Sequence, residues 1–401
     1  MSVDFLRNQT GGVMGAVIVG WSHSPFGKFD NLDLEGLIAS VSRNALTDAG
    51  VSAQEVGGVW LGNLNGGFES GIFNSSLVMQ SDEGLRWKPA TRVENACASG
   101  SAAIYSAAQA IESGAARIAL AVGAEKMSAV PGHEATRILG NCSYVKEEAT
   151  IDGGFAGIFG HVAQQYFDRY GNQSEALARI AAKNHRNGMS NPFAHMRRDL
   201  GFEFCNTVSD RNPLIAGPLR KTDCSLVSDG AAALVLASED LISEFKKAVR
   251  FRGRAHVSDF LPMSKRDAIA FEGPSRAWKT SLQQAGIGVN DLSFAEVHDC
   301  FTIAELLSYE AMGLAARGEG AKAIESGLVE KEGRLPINVS GGLKSKGHPI
   351  GATGVSMHVV SSMQLCGEAG EMQLSKAELG GVFNMGGSAV TSYVSILERL
   401  K

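Results

Sequence analysis

The sequence has no pair of cysteines two residues apart and no cysteine–histidine grouping at metal-ligand spacing, although it holds six cysteines in 401 residues. No metal site is expected from it. In a chain this long, scattered cysteines do not make a disulfide framework either; they fit reduced thiols in a cytoplasmic protein. Excess positive charge is also missing, the formal net charge being -5. A nucleic-acid footprint would be basic and clustered, so none is expected. Long apolar runs are absent too. The stretch "GGVMGAVIVG", preceded by Asp4 and Arg7, is too short to span a bilayer and lacks the flanks of a signal peptide. The closing "ERLK" is no address signal. No membrane association is expected.

Glycine is abundant, at 48 of 401 residues. The glycines recur inside apolar stretches, which points to tight turns and close backbone packing. With 44% hydrophobic and 20% charged residues, the composition is that of a globular chain long enough for two or three domains.

Apolar segments alternate in period. "GAVIVGWS", "VGGVWLGN" and "ARIALAVGAEKM" read as buried strands, and "LEGLIASVSRNALTDAG" reads as a helix stopped by Gly50. Strands alternating with helices imply an α/β fold with a largely buried sheet. The second half repeats the first. "ALTDAGVSAQEVGGVWLGN" (45–63) aligns without gaps with "SLQQAGIGVNDLSFAEVHD" (281–299), each reading helix, glycine stop, polar turn, strand. "SDGAAALVLAS" and "NMGGSAVTSYVSIL" likewise both run from a small-residue turn into a closing strand. The organisation expected is a first half over residues 1–127 and 219–245, an inserted helix-and-loop segment over 128–218 with a break at Asn191 and Pro192, and a second half over 246–401. Such an insertion suits a cover over a site between the halves.

Four stretches carry reactive groups. In "VENACASGSAA", Cys97 precedes a small-residue helix, whose N-terminal dipole and free N–H groups would stabilise a thiolate. From this stretch alone, inert packing of a small buried thiol stands beside that reading. In "VSGGLKSKGHPIGATG", glycines surround His348, suiting a shaped loop that presents an imidazole as a base, or a histidine that stabilises a turn. In "FAEVHDCFTIAELL", a strand ends in His298, Asp299 and Cys300 before a helix, the place where α/β proteins put function, although Cys300 also reads as a first-turn core residue. In "GGVFNMGGSAV", a buried strand runs into a glycine turn that either supplies an oxyanion donor or is a plain turn.

Together and in this order, the stretches resemble the thiolase superfamily, most closely its sterol-carrier-protein-2-type branch. "NACASGSAA" resembles the nucleophile motif, "SDGAAA" the mid-chain turn and "GGLKSKGHPIGATG" the GHP histidine motif. "HDCF" and "KNHRNGMSNPFAH" resemble that branch in particular. The main degradative and biosynthetic thiolases differ at two points. They carry Asn-Glu-Ala-Phe where this chain has His298 to Phe301, and a second cysteine where it has Asn384.

The resemblance implies a duplicated, five-layered α-β-α-β-α fold with the insertion in the first half. It implies acyl transfer to and from coenzyme A, cleaving 3-ketoacyl-CoA or condensing acyl-CoAs. Cys97 would be the nucleophile, His348 its base, and Cys300 the acid and base in place of the missing cysteine. His298 and His348 would form one oxyanion hole, and the amides of Cys97 and Gly386 a second. Coenzyme A would be a substrate, not a tightly bound cofactor, with Arg220, Lys221 and Ser228 as candidate contacts. Partners would be acyl-CoA, a second copy in a homodimer or homotetramer, and a small accessory subunit. The competing readings are a carrier-protein-dependent 3-ketoacyl synthase, a related retro-aldolase with a partner subunit, and a non-catalytic CoA-binding subunit. Asp299 and Cys300, standing in place of a Gly-Thr pattern, weigh against the synthase. Cys97 weighs against the aldolase group, which lacks that nucleophile.

Overall fold

The computed structural model describes residues 15–401; Asp4, Arg7 and the opening "GGVM" of the first apolar run lie outside them. Strand β1 (Ala16–His23) is buried along most of its length. Its side chains alternate between two cores. Val17 and Val19 pack toward helix α1 (Leu34–Ala49), while Ala16 and Ile18 join the core on the other face. This two-sided burial explains the continuous apolar runs in the sequence. Helix α1 starts at Asp33, whose carboxylate accepts from Gly36 N–H at 2.8 Å, and stops at Gly50 with φ 70°. That left-handed residue is the terminator the sequence predicts.

The first half continues through β2 (Gly58–Gly62), β3 (Ala90–Val93), α2 (Ser99–Glu112) and β4 (Ile118–Glu125). The next segment is mostly helix: α3 (Gly132–Gly140), α4 (Val145–Glu148), α5 (Gly154–Tyr170), α6 (Ser174–Gly188) and α7 (Phe202–Asn206). A small hairpin of β5 (Leu214–Ala216) and β6 (Leu219–Arg220) follows, and β7 (Gly230–Ser238) returns to the main sheet. The second half contains β8 (Val249–Ser258), α8 (Glu272–Ala285), β9 (Phe294–Val297), α9 (Thr302–Ala311), α10 (Ala321–Glu325), α11 (Gly342–Lys346), α12 (Ile350–Cys366), β10 (Leu379–Gly386) and β11 (Thr391–Arg399).

The strands run in the order β3-β2-β4-β7-β1-β8-β11-β10-β9. The halves meet at β1 and β8, which pair only through Val17 with Arg250 and Ile18 with Val249. Each half has the same internal pattern. In the first, β2 and β4 are parallel, and β4–β7 and β7–β1 are antiparallel. In the second, β9 and β10 are parallel, and β10–β11 and β11–β8 are antiparallel. Ile337 bridges in parallel to Ala295 where β3 flanks β2 in the first half. The repeat seen in sequence is therefore a repeat of topology: α8 also ends at a left-handed glycine, Gly286, before β9.

Helices α2 and α12 lie between the two halves of this sheet, with α1 on the outer face of the first half and α8 on that of the second, giving five layers. From α2, the Tyr105 hydroxyl donates to Val394 O of β11 at 2.7 Å. From α12, Gly351 N–H donates to the Glu125 carboxylate of β4 at 3.1 Å, and His358 Nε2 lies 2.9 Å from Ser395 Oγ of β11.

The two central helices touch through their backbones. A Cβ on Gly100 would lie 2.8 Å from Gly351 O, and one on Gly354 would lie 2.3 Å from Ser101 N. Close approach, not flexibility, is what glycine supplies here. Overpacking at such a contact costs about 1–3 kcal/mol or more. Gly354→Ala is expected to lower the thermal midpoint by several degrees in calorimetry, whereas Gly367→Ala, beyond the C-terminus of α12 with no atom near its would-be Cβ, should show only the smaller cost of its positive φ.

Candidate active site

Cys97 ends a tight turn between β3 and α2. Ala96 adopts a left-handed φ of 49°, a conformation that costs a non-glycine residue on the order of 1–3 kcal/mol and persists only where neighbours impose it. They do so here. Ala98 N–H donates to Asn95 O at 3.0 Å, the Ser99 hydroxyl to Ala96 O at 2.7 Å, and Asn95 Nδ2 to the Tyr393 hydroxyl at 2.6 Å. Cys97 is left directly before Ala98, the N-cap of α2. His348 occupies the equivalent place in the second half, just before Pro349, the N-cap of α12. The crossing of α2 and α12 thus brings two helix N-termini, with their positive dipole ends, to one spot.

The Cys97 sulfur and one ring nitrogen from each of His298 and His348 lie within 4.8 Å of one another, and all three residues are buried. The imidazoles meet edge to face, with centroids 5.0 Å apart. His348 Nδ1 lies 2.7 Å from the Thr353 hydroxyl, which donates to Pro349 O at 2.9 Å. His298 Nδ1 lies 2.9 Å from Asn384 Nδ2. The Nε2 atoms of both histidines are buried without a partner.

His298 and Cys300 follow directly on the end of β9. Between them, Asp299 accepts from Leu343 N–H at 2.6 Å, Lys344 N–H at 3.2 Å and Asn184 Nδ2 at 2.8 Å. It ties the turn after β9 to α11, the helix that leads into His348. Burial and the nearby Glu305 carboxylate push the Asp299 carboxyl up to about 7. The Glu125 carboxylate plays a matching part beneath α12, accepting from Gly351, Leu64 and Asn65 N–H groups. Glu125 and Thr353 were not singled out by sequence reasoning, and Asp299 was named only as a reactive group after Val297, with no role of its own. Only the closeness of Thr353 to His348 in "HPIGAT" offered a signal.

The electrostatics favour neutral groups at rest. Burial, with the Cys300 sulfur next in weight, pushes the Cys97 thiol far up. Burial and then the Asp299 carboxylate push the Cys300 thiol well up. Burial, followed by the Lys346 ammonium, lowers His348 to about 3, and burial with His348 lowers His298 well below its ordinary value. The resting site is a thiol beside neutral imidazoles, so the proton must move as the sulfur attacks.

A cavity of about 310 Å³ opens over Cys97, Cys300 and His348. Its walls are mainly apolar, and the segment between β4 and β7 supplies Leu139, Phe155, Ala156 and Ile215. Phe159 of α5 stacks on Phe301 with centroids 4.6 Å apart, seating that cover on the turn after β9.

The expected contact from Gly386 has a neighbour, and two other expectations are corrected. The Gly387 backbone amide acts to lower the Cys97 thiol against its burial. Gly386 is still in β10, paired with Thr391, and the turn with left-handed φ begins one residue later. Gly386 also provides room, since a Cβ there would lie 2.2 Å from Asn95 O. Arg220 is buried, and its guanidinium is used on Asp223, Asn206 and the carbonyl of Ser174. Ser228 is also buried, its hydroxyl 2.8 Å from His195 Nδ1. Neither faces a ligand. Lys221 is exposed and lines the cavity.

A thiol held against neutral imidazoles at crossed helix N-termini is the apparatus of covalent acyl transfer. Residues 16–201 match the family described as "Thiolase, N-terminal domain", and residues 255–399 match "Thiolase C-terminal domain-like". The chain is 34% identical to an acetyl-CoA acetyltransferase of Methanothermobacter thermautotrophicus over 95% of its length and 99% of that protein. It is 32% identical to the sterol carrier protein 2 of Bos taurus over 93% of its length and 70% of that protein. The solved structure titled "Ltp2-ChsH2(DUF35) aldolase" has the same fold, with a TM-score of 0.82 at 22% identity, covering 96% of this chain and 97% of that one. The chain belongs to the thiolase family.

Burial sets a pH dependence. His23, His185 and His348 are each lowered to about 3 and His358 to about 4, with desolvation the leading cause. In the unfolded chain a histidine protonates near pH ~6.5. Below that pH the unfolded state binds more protons than the folded state. The stability these neutral rings contribute is therefore complete above about 6.5 and lost as the pH falls toward their folded values. The buried carboxyls of Asp299 and Glu125, pushed up to about 7, act in the opposite sense over the same range but are two against four rings. The thermal midpoint is expected to drop on acidification from about pH 7 to about pH 5; a rise would contradict neutral burial of the rings.

Proposed function

We propose that the protein is a thiolase that transfers acyl groups to and from coenzyme A through an acyl group on Cys97. The observation that carries this reading is the convergence of Cys97, His298 and His348 beside a cavity lined by Cys97, His348 and Cys300. In the cleaving direction, His348 Nε2 takes the Cys97 proton as the sulfur attacks the 3-keto carbonyl. The carbon–carbon bond breaks, and the departing α-carbanion takes the Cys300 proton. Coenzyme A then returns a proton to Cys300, and its thiolate attacks the acyl group on Cys97. The released Cys97 sulfur recovers its proton from His348. The raised Cys300 pKa suits this part, because it keeps the thiol protonated until a far stronger base forms beside it.

In this reading the acyl oxygen on Cys97 faces the amides of Cys97 and Gly386, with the Gly387 amide next to them, and the enolate oxygen faces His298 and His348. Each such donor contributes about 2.7–4 kcal/mol to lowering the barrier. Lys221, at the rim of the cavity, is the remaining candidate for a contact with the charged part of coenzyme A. Intact-mass analysis after mixing with acetyl-CoA is expected to show an acetyl adduct in the wild type and none in Cys97→Ala. Cys300→Ala should still acylate but lose thiolysis of acetoacetyl-CoA by several orders of magnitude. Full thiolysis by Cys300→Ala would remove Cys300 from its role, and turnover of malonyl carrier protein would favour the synthase reading.

The reading includes a cytoplasmic enzyme that forms dimers or tetramers. All six cysteines are free thiols, which suits a reducing compartment. Among the described residues, no helix is long and apolar enough to cross a membrane. Edge strand β3 is only partly buried, and Ile72, Phe73 and Trp87 nearby in the chain are 78%, 75% and 85% exposed. This face suits a second copy. Light scattering is expected to return a multiple of 42.2 kDa, and Trp87→Glu to shift it toward the single chain. A small accessory subunit, as in the titled aldolase complex, would be met by a change in that mass on co-expression.

A further inference from the structure

We propose that Asn384 is the positioning residue that sets which nitrogen of His298 carries the proton, so that His298 Nε2–H points into the reaction centre as a donor. This rests on the acyl-transfer reading above. It gives a role to the position where other thiolases carry their second cysteine.

The orientation of the Asn384 amide is fixed by its partners. Asn384 Nδ2 lies 3.1 Å from Cys97 O, a backbone carbonyl that can only accept. On the other side, the Ser101 hydroxyl donates to Asn384 Oδ1 at 2.8 Å. A flipped amide would set its oxygen against the Cys97 carbonyl oxygen; the Ser101 hydroxyl can donate or accept, so it is the Cys97 carbonyl that decides the orientation. With Nδ2 so placed, its second hydrogen points at His298 Nδ1, 2.9 Å away. His298 Nδ1 must therefore accept. A neutral imidazole that accepts at Nδ1 carries its proton on Nε2, and burial holds this ring neutral. Nε2 is the atom left buried and without a partner beside Cys97 and His348.

His348 is arranged the opposite way. The single Thr353 hydroxyl proton goes to Pro349 O, so Thr353 Oγ1 accepts from His348 Nδ1–H. That leaves His348 Nε2 bare and able to take the Cys97 proton. Two like side chains thus face one site in opposite tautomers, one as base and one as donor, and two neutral neighbours impose the difference. The same logic bears on the clustering of Cys97, His298 and His348. A metal ion there would need a bare Nε2 on His298, which the Asn384 amide opposes.

The test combines spectroscopy with kinetics. In a long-range 1H–15N spectrum of the histidine-labelled wild type, His298 is expected to show a bare Nδ1 and a protonated Nε2, and His348 the reverse. A protonated His298 Nδ1 would overturn the proposal, and this measurement needs no variant. In Asn384→Asp, assayed at a pH where the carboxylate is ionised, the side chain can only accept, so the proton should move to His298 Nδ1. The kcat for carbon–carbon cleavage should then fall about 10²–10³-fold, as for loss of an oxyanion donor. KM and Cys97 acylation from acetyl-CoA should persist. Asn384→Ala, which imposes no tautomer, should show a mixed signal and a smaller loss. Wild-type kcat in a variant whose proton has moved would also overturn the proposal. Failure of the wild type to acylate at Cys97 would instead sink the acyl-transfer reading and leave the spectrum standing.

Discussion

The contact on which the site depends is the backbone crossing of α2 and α12. Gly100 and Gly354 let the two helices approach until a methyl group would collide with the facing chain. Because each helix begins at a reactive turn, the crossing fixes Cys97 against His348. A spacer of even one side chain would separate the thiol from the imidazole. The glycine-rich composition is thus a requirement of the chemistry, transmitted through packing.

Around that crossing, buried carboxylates act as pins. Glu125 holds the start of α12 to the first half, and Asp299 holds α11 to the turn that carries His298 and Cys300. Both accept several backbone N–H groups, a use of an acid that combines charge with directed bonds. Burial nevertheless pushes each up to about 7. The reactive side chains are consequently fixed by the backbone of neighbouring segments, and the apolar cover over the cavity is free to shape what enters.

Much of this was legible in the chain. The helix ending at Gly50, the strands bearing Val17 and Leu61, and the match of 45–63 to 281–299 follow from periodicity and stop signals. So did the reactive stretches, because glycine around His348 and three reactive groups after Val297 are hard to explain as packing. The rest depended on relations that sequence does not carry. Strand β3 is short and only half buried, so it leaves little apolar pattern. The left-handed φ of Ala96 is imposed by neighbours distant in the chain. Arg220 looked like an anion contact because charge alone was visible, while its partners Asn206 and Ser174 come from the folded insertion. Gly386 and Gly387 are adjacent and identical, and only strand register separates the one that ends β10 from the one that opens the turn.

Duplication carries one more consequence. In the ungapped match of the two halves, His298 faces Gly62, and a Cβ on Gly62 would lie 2.5 Å from Ser99 O. The first half therefore has no room for an imidazole where the second half has one. Two copies of one architecture have become complementary: one lends its thiol and the other its rings. Among the described residues this cluster of thiol and rings therefore occurs once, where the two halves meet.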